Sequence, residues 1–208
     1  MKERKGMYIG FTGIDGAGKS TQAALLCGWL NQKGLHTILR EENRSFVSEV
    51  TSVIAKNHGI KSGREYLDEE HYMVALSFDL LREVVFDIRP FTDMGIIVVS
   101  ARTAFCRLAG GMVRGCRSIE VAKEIALFRG IPDLTIWLDV SLEVAYRRVM
   151  QRGIDSADLE HLKRYRKALS ALLRNYPHIR IGGDETIESI QREIQQVVEE
   201  KLNQLRGR

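Results

Sequence analysis

Residues Gly13-Ile14-Asp15-Gly16-Ala17-Gly18-Lys19-Ser20 match G-x-x-x-x-G-K-[ST] throughout, and no other stretch of the 208-residue chain restricts its fold as tightly. The run before it, Met7-Tyr8-Ile9-Gly10-Phe11, is apolar and short, as a buried parallel strand requires. After it, Ala23, Leu26, Trp29 and Leu30 recur at helical spacing from Lys19 to about Gln32, and Gly34 stops the pattern. A glycine-rich turn between a strand and a helix N-terminus points successive backbone N–H groups at one spot, to which the helix end adds partial positive charge. This is a nest for phosphate oxygens.

The ligand such a nest implies is ATP with Mg²⁺, held along Gly13, Asp15, Gly16, Ala17, Gly18, Lys19, Ser20 and Thr21. Lys19 reaches the β- and γ-phosphates as a point charge, and the Ser20 hydroxyl is the expected metal ligand.

Beyond the loop, strand and helix patterns alternate. A second strand is predicted over His36 to Arg40, and helix over Phe46 to Arg89 with a break near Asn57-His58-Gly59 and a boundary at Pro90. Gly95 to Ser100 is the clearest buried strand, followed by helical pattern through Arg129 and a strand over Leu134 to Leu138. The chain closes with helices near Ser141–Gln151 and Leu159–Asn175, a strand over His178 to Ile181, and a helix from about Thr186 to Leu202. The alternation implies an α/β fold, a parallel sheet with helices on both faces and ligands at the carboxyl ends of its strands. A single domain over residues 1–208 is expected, since one core can serve a chain of this length.

Composition narrows the partners. The formal charge is +4, but 31 basic residues are dispersed among 27 acidic ones, which gives no case for nucleic acid. The densest basic stretch, Lys163, Arg164, Arg166 and Lys167, reads as the solvated face of a helix. Cys27, Cys106 and Cys116 lack metal or disulfide spacing, and no apolar run reaches membrane-spanning length, so a soluble cytoplasmic protein is expected.

The segment Phe11 to Gln22 resembles the phosphate loop of thymidylate kinases, departing at Thr12, where a glutamate is usual. Pro132 to Val140, followed by Glu143, Arg148, Arg152 and Gly153, is a second match. The resemblance implies a P-loop kinase core with five parallel strands in three layers, an acceptor site opposite the ATP site, and a short lid near residues 152–160 that closes over both nucleotides. It also implies that Arg148 lies against adenine, that Arg152 approaches the phosphates, and that Arg40 and Glu41 contact the acceptor phosphate and the metal shell.

The acceptor side departs from the family pattern. The third strand ends Ser100-Ala101-Arg102-Thr103, retaining the family's arginine at Arg102 but placing Ala101 where an aspartate is usual. Cys106 stands for a serine, and Ala109-Gly110-Gly111 for Ala-Tyr-Gln, so Gly110 and Gly111 are expected to open room for an acceptor. Counted from Pro90, the base-stacking phenylalanine and base-reading arginine become Leu76 and Leu80. On a regular helix Arg82 faces away from Leu80, since two residues turn a side chain by about 200°. Glu42 is a spare carboxylate, and the lid stretch Gly153 to Asp158 has no arginine.

Three functions fit these residues. The first is phosphoryl transfer from ATP to a nucleoside monophosphate, dTMP by resemblance, with Lys19, Arg102 and Arg152 bearing the chemistry and Asp15, Arg40, Glu41 and Arg102 meeting the acceptor. The second is the same transfer to another small acceptor. The third is ATP binding without turnover, as a regulatory signal. Family members are commonly dimers through helices flanking the sheet, and Val84, Val85 and Ile88 are candidates for that contact as much as for the core.

Overall fold

The computed structural model describes residues 6–41, 45–153 and 158–206. Five parallel strands form one sheet: β1 (Met7–Thr12), β2 (Thr37–Arg40), β3 (Ile97–Ser100), β4 (Leu134–Asp139) and β5 (Ile179–Gly182). They lie in the order β2-β3-β1-β4-β5. The register pairs Met7 with Ile97 and Ile9 with Leu134, so β1 occupies the centre between β3 and β4, and all of its residues are buried. The α/β fold and the parallel five-stranded sheet expected from the alternation are both present.

Helices cover both faces. Met7, Ile9, Phe11, Ile97, Val99, Ile136 and Leu138 point to one side, against α1 (Lys19–Gln32) and α9 (Ile187–Arg206). On the other side Trp137 packs with α3 (Gly63–Arg82), α5 (Ala104–Val113), α6 (Ile119–Leu127) and α8 (Leu159–Leu173). Tyr8 and Val98 meet Val84 and Ile88 on that same side. Each fully buried aliphatic or aromatic side chain here contributes on the order of 1.5–3 kcal/mol. Val84 and Ile88 are therefore core residues, which corrects their candidacy for a subunit contact.

The helix stops follow from local chemistry. Gly34, at φ 72°, donates to the Asn31 carbonyl, and Leu35 N–H reaches back to Leu30, which satisfies the last carbonyls of α1. The break expected near Gly59 is the same device: α2 (Phe46–Asn57) ends with Gly59 at φ 67° and Ile60 N–H bonded to the Ala55 carbonyl. Ser45, Ser62 and Ser141 cap α2, α3 and α7 (Leu142–Arg152) through their hydroxyls.

Pro90 is placed differently from expectation. It does not end a helix; it lies in the first turn of α4 (Arg89–Asp93), where a missing N–H costs nothing. Between α3 and α4 the chain makes a π-helical turn over Glu83–Ile88. That wider turn takes up one more residue per hydrogen-bonded ring than an α-helix does. Arg89 then holds the start of β4, with Nη1 donating to both Asp133 carboxylate oxygens at 3.1 Å, while Asp133 accepts the Tyr8 N–H at 2.8 Å.

Arg166 also departs from its expected place on a solvated face. It donates to Asp139 through Nε at 2.7 Å and Nη2 at 3.0 Å, and Arg180 donates to the same carboxylate through Nε at 2.8 Å. Burial favours the neutral acid, but hydrogen bonds from Arg166 and then Arg180 outweigh it and hold Asp139 below the usual carboxylate range. Among the described residues no helix is long and apolar enough to cross a membrane.

Candidate active site

The loop after β1 is a cradle built on three glycines at positive φ, Gly13 (154°), Gly16 (83°) and Gly18 (88°). A side chain on Gly16 would lie 2.4 Å from the Ala145 carbonyl oxygen, so only glycine lets the loop rest on α7. Ala17 N–H closes the turn onto the Ile14 carbonyl at 3.2 Å. Lys19 is buried, and its Nζ donates to that carbonyl at 2.8 Å, so the ammonium sits over the loop. Ser20 and Thr21 open α1 and are exposed at its positive end, where a hydroxyl can meet a cation or phosphate.

Asp15, on the same loop, joins the cradle to the far strand. Its Oδ1 lies 3.1 Å from Nη2 of Arg102, which follows β3, and 3.9 Å from Lys19 Nζ. Burial opposes its charge, but Lys19 and then Arg102 outweigh this and hold Asp15 below the usual carboxylate range. Thr12 and Cys106, two of the positions that depart from the family pattern, touch one another, with Oγ1 and Sγ 3.2 Å apart. Burial pushes the Cys106 thiol up, but Lys19, the Thr12 hydroxyl and Arg102 together bring it below its ordinary value. Tyr165 of α8 reaches the same corner and donates its hydroxyl to the Cys106 carbonyl.

On the side of β4 and β5, Arg148 donates to the Gly183 carbonyl at 2.9 Å and to that of Gly16 at 3.4 Å. It thus connects the phosphate loop to the turn after β5. Arg152 is exposed at the C-terminal end of α7. Residues 154–157 of the expected lid lie outside the described residues, as does Glu42.

Opposite Arg148, a cleft opens at the ends of β2 and β3. It is lined by Arg40, Glu41, Asp79, Leu80, Arg82, Glu83, Arg102, Thr103 and Arg107, with Tyr8, Ser45, Ser100, Val84 and Ala104 completing it. Arg102 and Thr103 bring this cleft to the edge of the phosphate loop. Arg40 Nη2 lies 3.6 Å from Glu83 and 3.7 Å from Asp87; Arg82 lies 3.2 Å from Asp79 and 3.2 Å from Asp87. Burial raises the Glu83 carboxyl above its usual range against the pull of Arg40, with Asp87 and Asp79 adding to the rise.

Three expectations change here. Arg82 lines the cleft together with Leu80, because its long side chain folds back along α3 to Asp79, three residues earlier. Leu76 is buried in the core beside Phe105 and Leu108. Gly110 and Gly111 do not open acceptor space. A side chain on Gly111 would come within 2.8 Å of Met73 Sδ on α3, and one on Gly110 within 3.1 Å of Nη1 of Arg114 at the end of the glycines' own helix, so the space beside both glycines is taken by other side chains. Asp79 and Glu83 were not foreseen, since counting back from Pro90 on the family pattern led to Leu76 and Leu80, and Arg107 lies on α5, where the family pattern drew attention to Cys106 and the glycines instead.

The cradle fits a nucleoside triphosphate and its metal. Among the described residues no three His, Cys, Asp or Glu side chains converge as a protein cage for an ion. A magnesium ion that takes most of its ligands from phosphates and water needs only one hydroxyl such as Ser20. A phosphate loop after β1, at one end of a five-stranded parallel sheet with a second polar cleft beside it, defines the P-loop phosphotransferases. Residues 11–194 match the family model described as thymidylate kinase. The chain is 32% identical to a probable thymidylate kinase of Thermococcus gammatolerans over 95% of its own length and 98% of the relative's. It is 29% identical to a thymidylate kinase of Legionella pneumophila, covering 96% and 97% of the two chains, and 30% identical to a probable thymidylate kinase of Archaeoglobus fulgidus, covering 95% and 97%. The chain belongs to the thymidylate kinase family.

Proposed function

We propose that this chain transfers the terminal phosphoryl group of ATP to the phosphate of dTMP, releasing dTDP and ADP. The observation that carries the reading is the Lys19–Asp15–Arg102 bridge, which sets a phosphate cradle and a second polar cleft on either side of one point. Two phosphate-bearing ligands, one in each, would meet there. The reaction needs little covalent work from the protein, so positioning and charge carry it.

Lys19 and the loop N–H groups of Gly13 to Ser20 hold the β- and γ-phosphates, and the helix end adds to that field. Magnesium bound at Ser20 would neutralise charge on the phosphates. Arg102, placed by Asp15, faces the acceptor phosphate from the cleft, with Arg40 and Glu41 along the same wall. Arg148 buttresses the loop from the nucleotide side, and Arg152, exposed at the end of α7, approaches the phosphates. Three unpaired cysteines suit a reducing cytoplasm. A homodimer would draw on Phe78 and Phe86, both exposed beside the π-helical turn.

A second reading, another acceptor in the same cleft, is favoured by one feature: its lining is charged at Asp79, Arg82 and Glu83 rather than aromatic. Product analysis with MgATP and a panel of nucleoside monophosphates separates the two. Formation of dTDP supports the first; conversion of a different monophosphate alone supports the second.

A further inference from the structure

α8 runs down to β5, which is parallel to β4, so its first turns lie at the carboxyl ends of the strands. Two side chains fix its height and its rotation. Arg166 bonds Asp139, the last residue of β4, and Tyr165 donates to the Cys106 carbonyl in the first turn of α5. The Tyr165 ring also covers Gly110, on which a side chain would lie 3.7 Å from its Cε2. His161 is four residues nearer the start of α8, which places it on the same face and about 6 Å further beyond the strand ends. The two rings pack against one another, with centroids 6.1 Å apart and planes tilted by 52°. Lys163, Arg164 and Lys167 of this helix are exposed, whereas His161 is half-buried.

That position overlooks the bridge between Asp15 and Arg102. Burial opposes the charge of Asp15, and Lys19, then Arg102 and then His161 outweigh it, so His161 is a third basic group around this carboxylate. Each of the three comes from a different element, α1, the end of β3 and α8. The sequence from Gly153 to Asp158 has no basic residue, and Arg148 is engaged by the Gly16 and Gly183 carbonyls. We propose that His161 is a further catalytic residue, donating an imidazole N–H to the oxygens of the phosphoryl group in transit. An imidazole has an N–H to donate whether neutral or protonated. In the transfer, the bond from the γ-phosphorus to the β–γ bridging oxygen breaks as an acceptor phosphate oxygen bonds to that phosphorus. His161 holds the remaining oxygens and keeps its proton throughout. A donor fixed in advance where charge gathers stabilises the transition state more than the ground state. Tyr165, anchored on α5, is what fixes it. The inference rests on the phosphoryl-transfer reading, to which it adds a donor from α8.

The test compares the full-length protein with His161→Phe, which keeps a ring against Tyr165 but has no N–H, and with His161→Arg, which restores donors. Each is measured by steady-state turnover with dTMP and MgATP. Each is also titrated calorimetrically with MgADP and aluminium fluoride in the presence of dTMP, the fluoride complex standing in for the phosphoryl group in transit. Thermal melts establish that each variant is folded. His161→Phe should lose on the order of 10- to 100-fold in kcat, with KM for dTMP and MgATP within about twofold, because the hydrogen bond is made to charge that develops in the transition state. Binding of the aluminium fluoride complex should weaken by a similar factor, while MgADP alone binds all three proteins equally. His161→Arg should recover most of both losses.

Wild-type kcat in His161→Phe, a loss carried by KM, or a rate in His161→Arg no better than in His161→Phe would overturn the assignment and leave His161 as packing for Tyr165. If the wild type forms no dTDP, the dTMP reading falls and the aluminium fluoride complex decides on His161. Binding weakened in His161→Phe and restored in His161→Arg would then uphold the residue. Equal binding by all three proteins, or none, would overturn it along with the reading it rests on.

Discussion

At the scale of the residue, charges are held where they act by partners from distant parts of the chain. Lys19 sits on the Ile14 carbonyl, Asp15 on Arg102, and Asp139 between Arg166 and Arg180. Asp139 is buried while its two arginines are partly solvated, so removing its charge leaves guanidiniums that water can still reach. Asp139→Asn should then cost about 1.5–3 kcal/mol, the range for hydrogen bonds to a charged group. Thermal melts should show the midpoint falling by roughly 2–4 °C per kcal/mol for a chain of this size. The sign with pH follows from the depressed folded pKa. The wild-type advantage is full above the ordinary carboxylate range and disappears as pH falls through the lowered value, where wild type and variant converge.

The Lys19 and Ser20 positions were legible in the sequence because the motif is contiguous and its mechanism is local. The Asp139 cluster was not, since its partners lie 27 and 41 residues away and only the fold brings them together.

At the scale of the element, α3 is the informative case. Its existence and its start at Ser62 follow from pattern and cap, yet its interior is irregular in two places. Asp68 has φ 58° and ψ 168°, a conformation costly for a non-glycine residue, and its carboxylate receives the N–H of His71, restarting the helix after a kink. At the other end the helix passes into a π-helical turn over Glu83–Ile88, and just before it the Arg82 side chain folds back onto Asp79. Neither feature has a residue signature, so a count along an ideal helix placed Leu80 in the cleft and turned Arg82 away from it.

The same helix ties to α6 through Glu70, which accepts the N–H groups of Arg117 at 2.8 Å and Ser118 at 2.7 Å. These bonds, led by the one from Arg117, lower its pKa to about 2. The stabilisation is complete above the ordinary glutamate range, near pH 4.5, and is lost as pH falls toward 2. Glu70→Gln should therefore unfold at lower urea than the wild type at pH 7 and match it near pH 2. A constant gap between the two across that window would contradict the assignment.

At the scale of the whole molecule, the sheet places two ligand regions at the carboxyl ends of its strands, one on each side of β1. The parallel order β2-β3-β1-β4-β5 puts β3 and β4 on either side of the phosphate loop's own strand. The loop therefore faces Arg102 on one flank and Arg148 on the other. The alternation of strands and helices made the carboxyl ends of the strands readable as the ligand side, and the resemblance to thymidylate kinases supplied the division into two regions. On the acceptor side Arg40, Glu41 and Arg102 were legible through the resemblance, but Asp79, Glu83 and Arg107 were not, because the lining assembles β2, α3, β3 and α5. Ligand binding to the native state alone should stabilise the whole chain. At a hundredfold excess over Kd, MgATP should contribute about 2.7 kcal/mol. At roughly 2–4 °C per kcal/mol this is a rise of several degrees in Tm, absent in Lys19→Ala.

The most direct test of phosphoryl transfer to dTMP is to incubate the full-length protein with MgATP and dTMP and follow dTDP and ADP by chromatography, with Lys19→Ala alongside. The account predicts equal amounts of dTDP and ADP that depend on dTMP. It also predicts a loss on the order of 100-fold or more in the variant, as for removal of a group that stabilises transition-state charge. ADP formed without dTDP, or no turnover despite a Tm rise with MgATP, would contradict it.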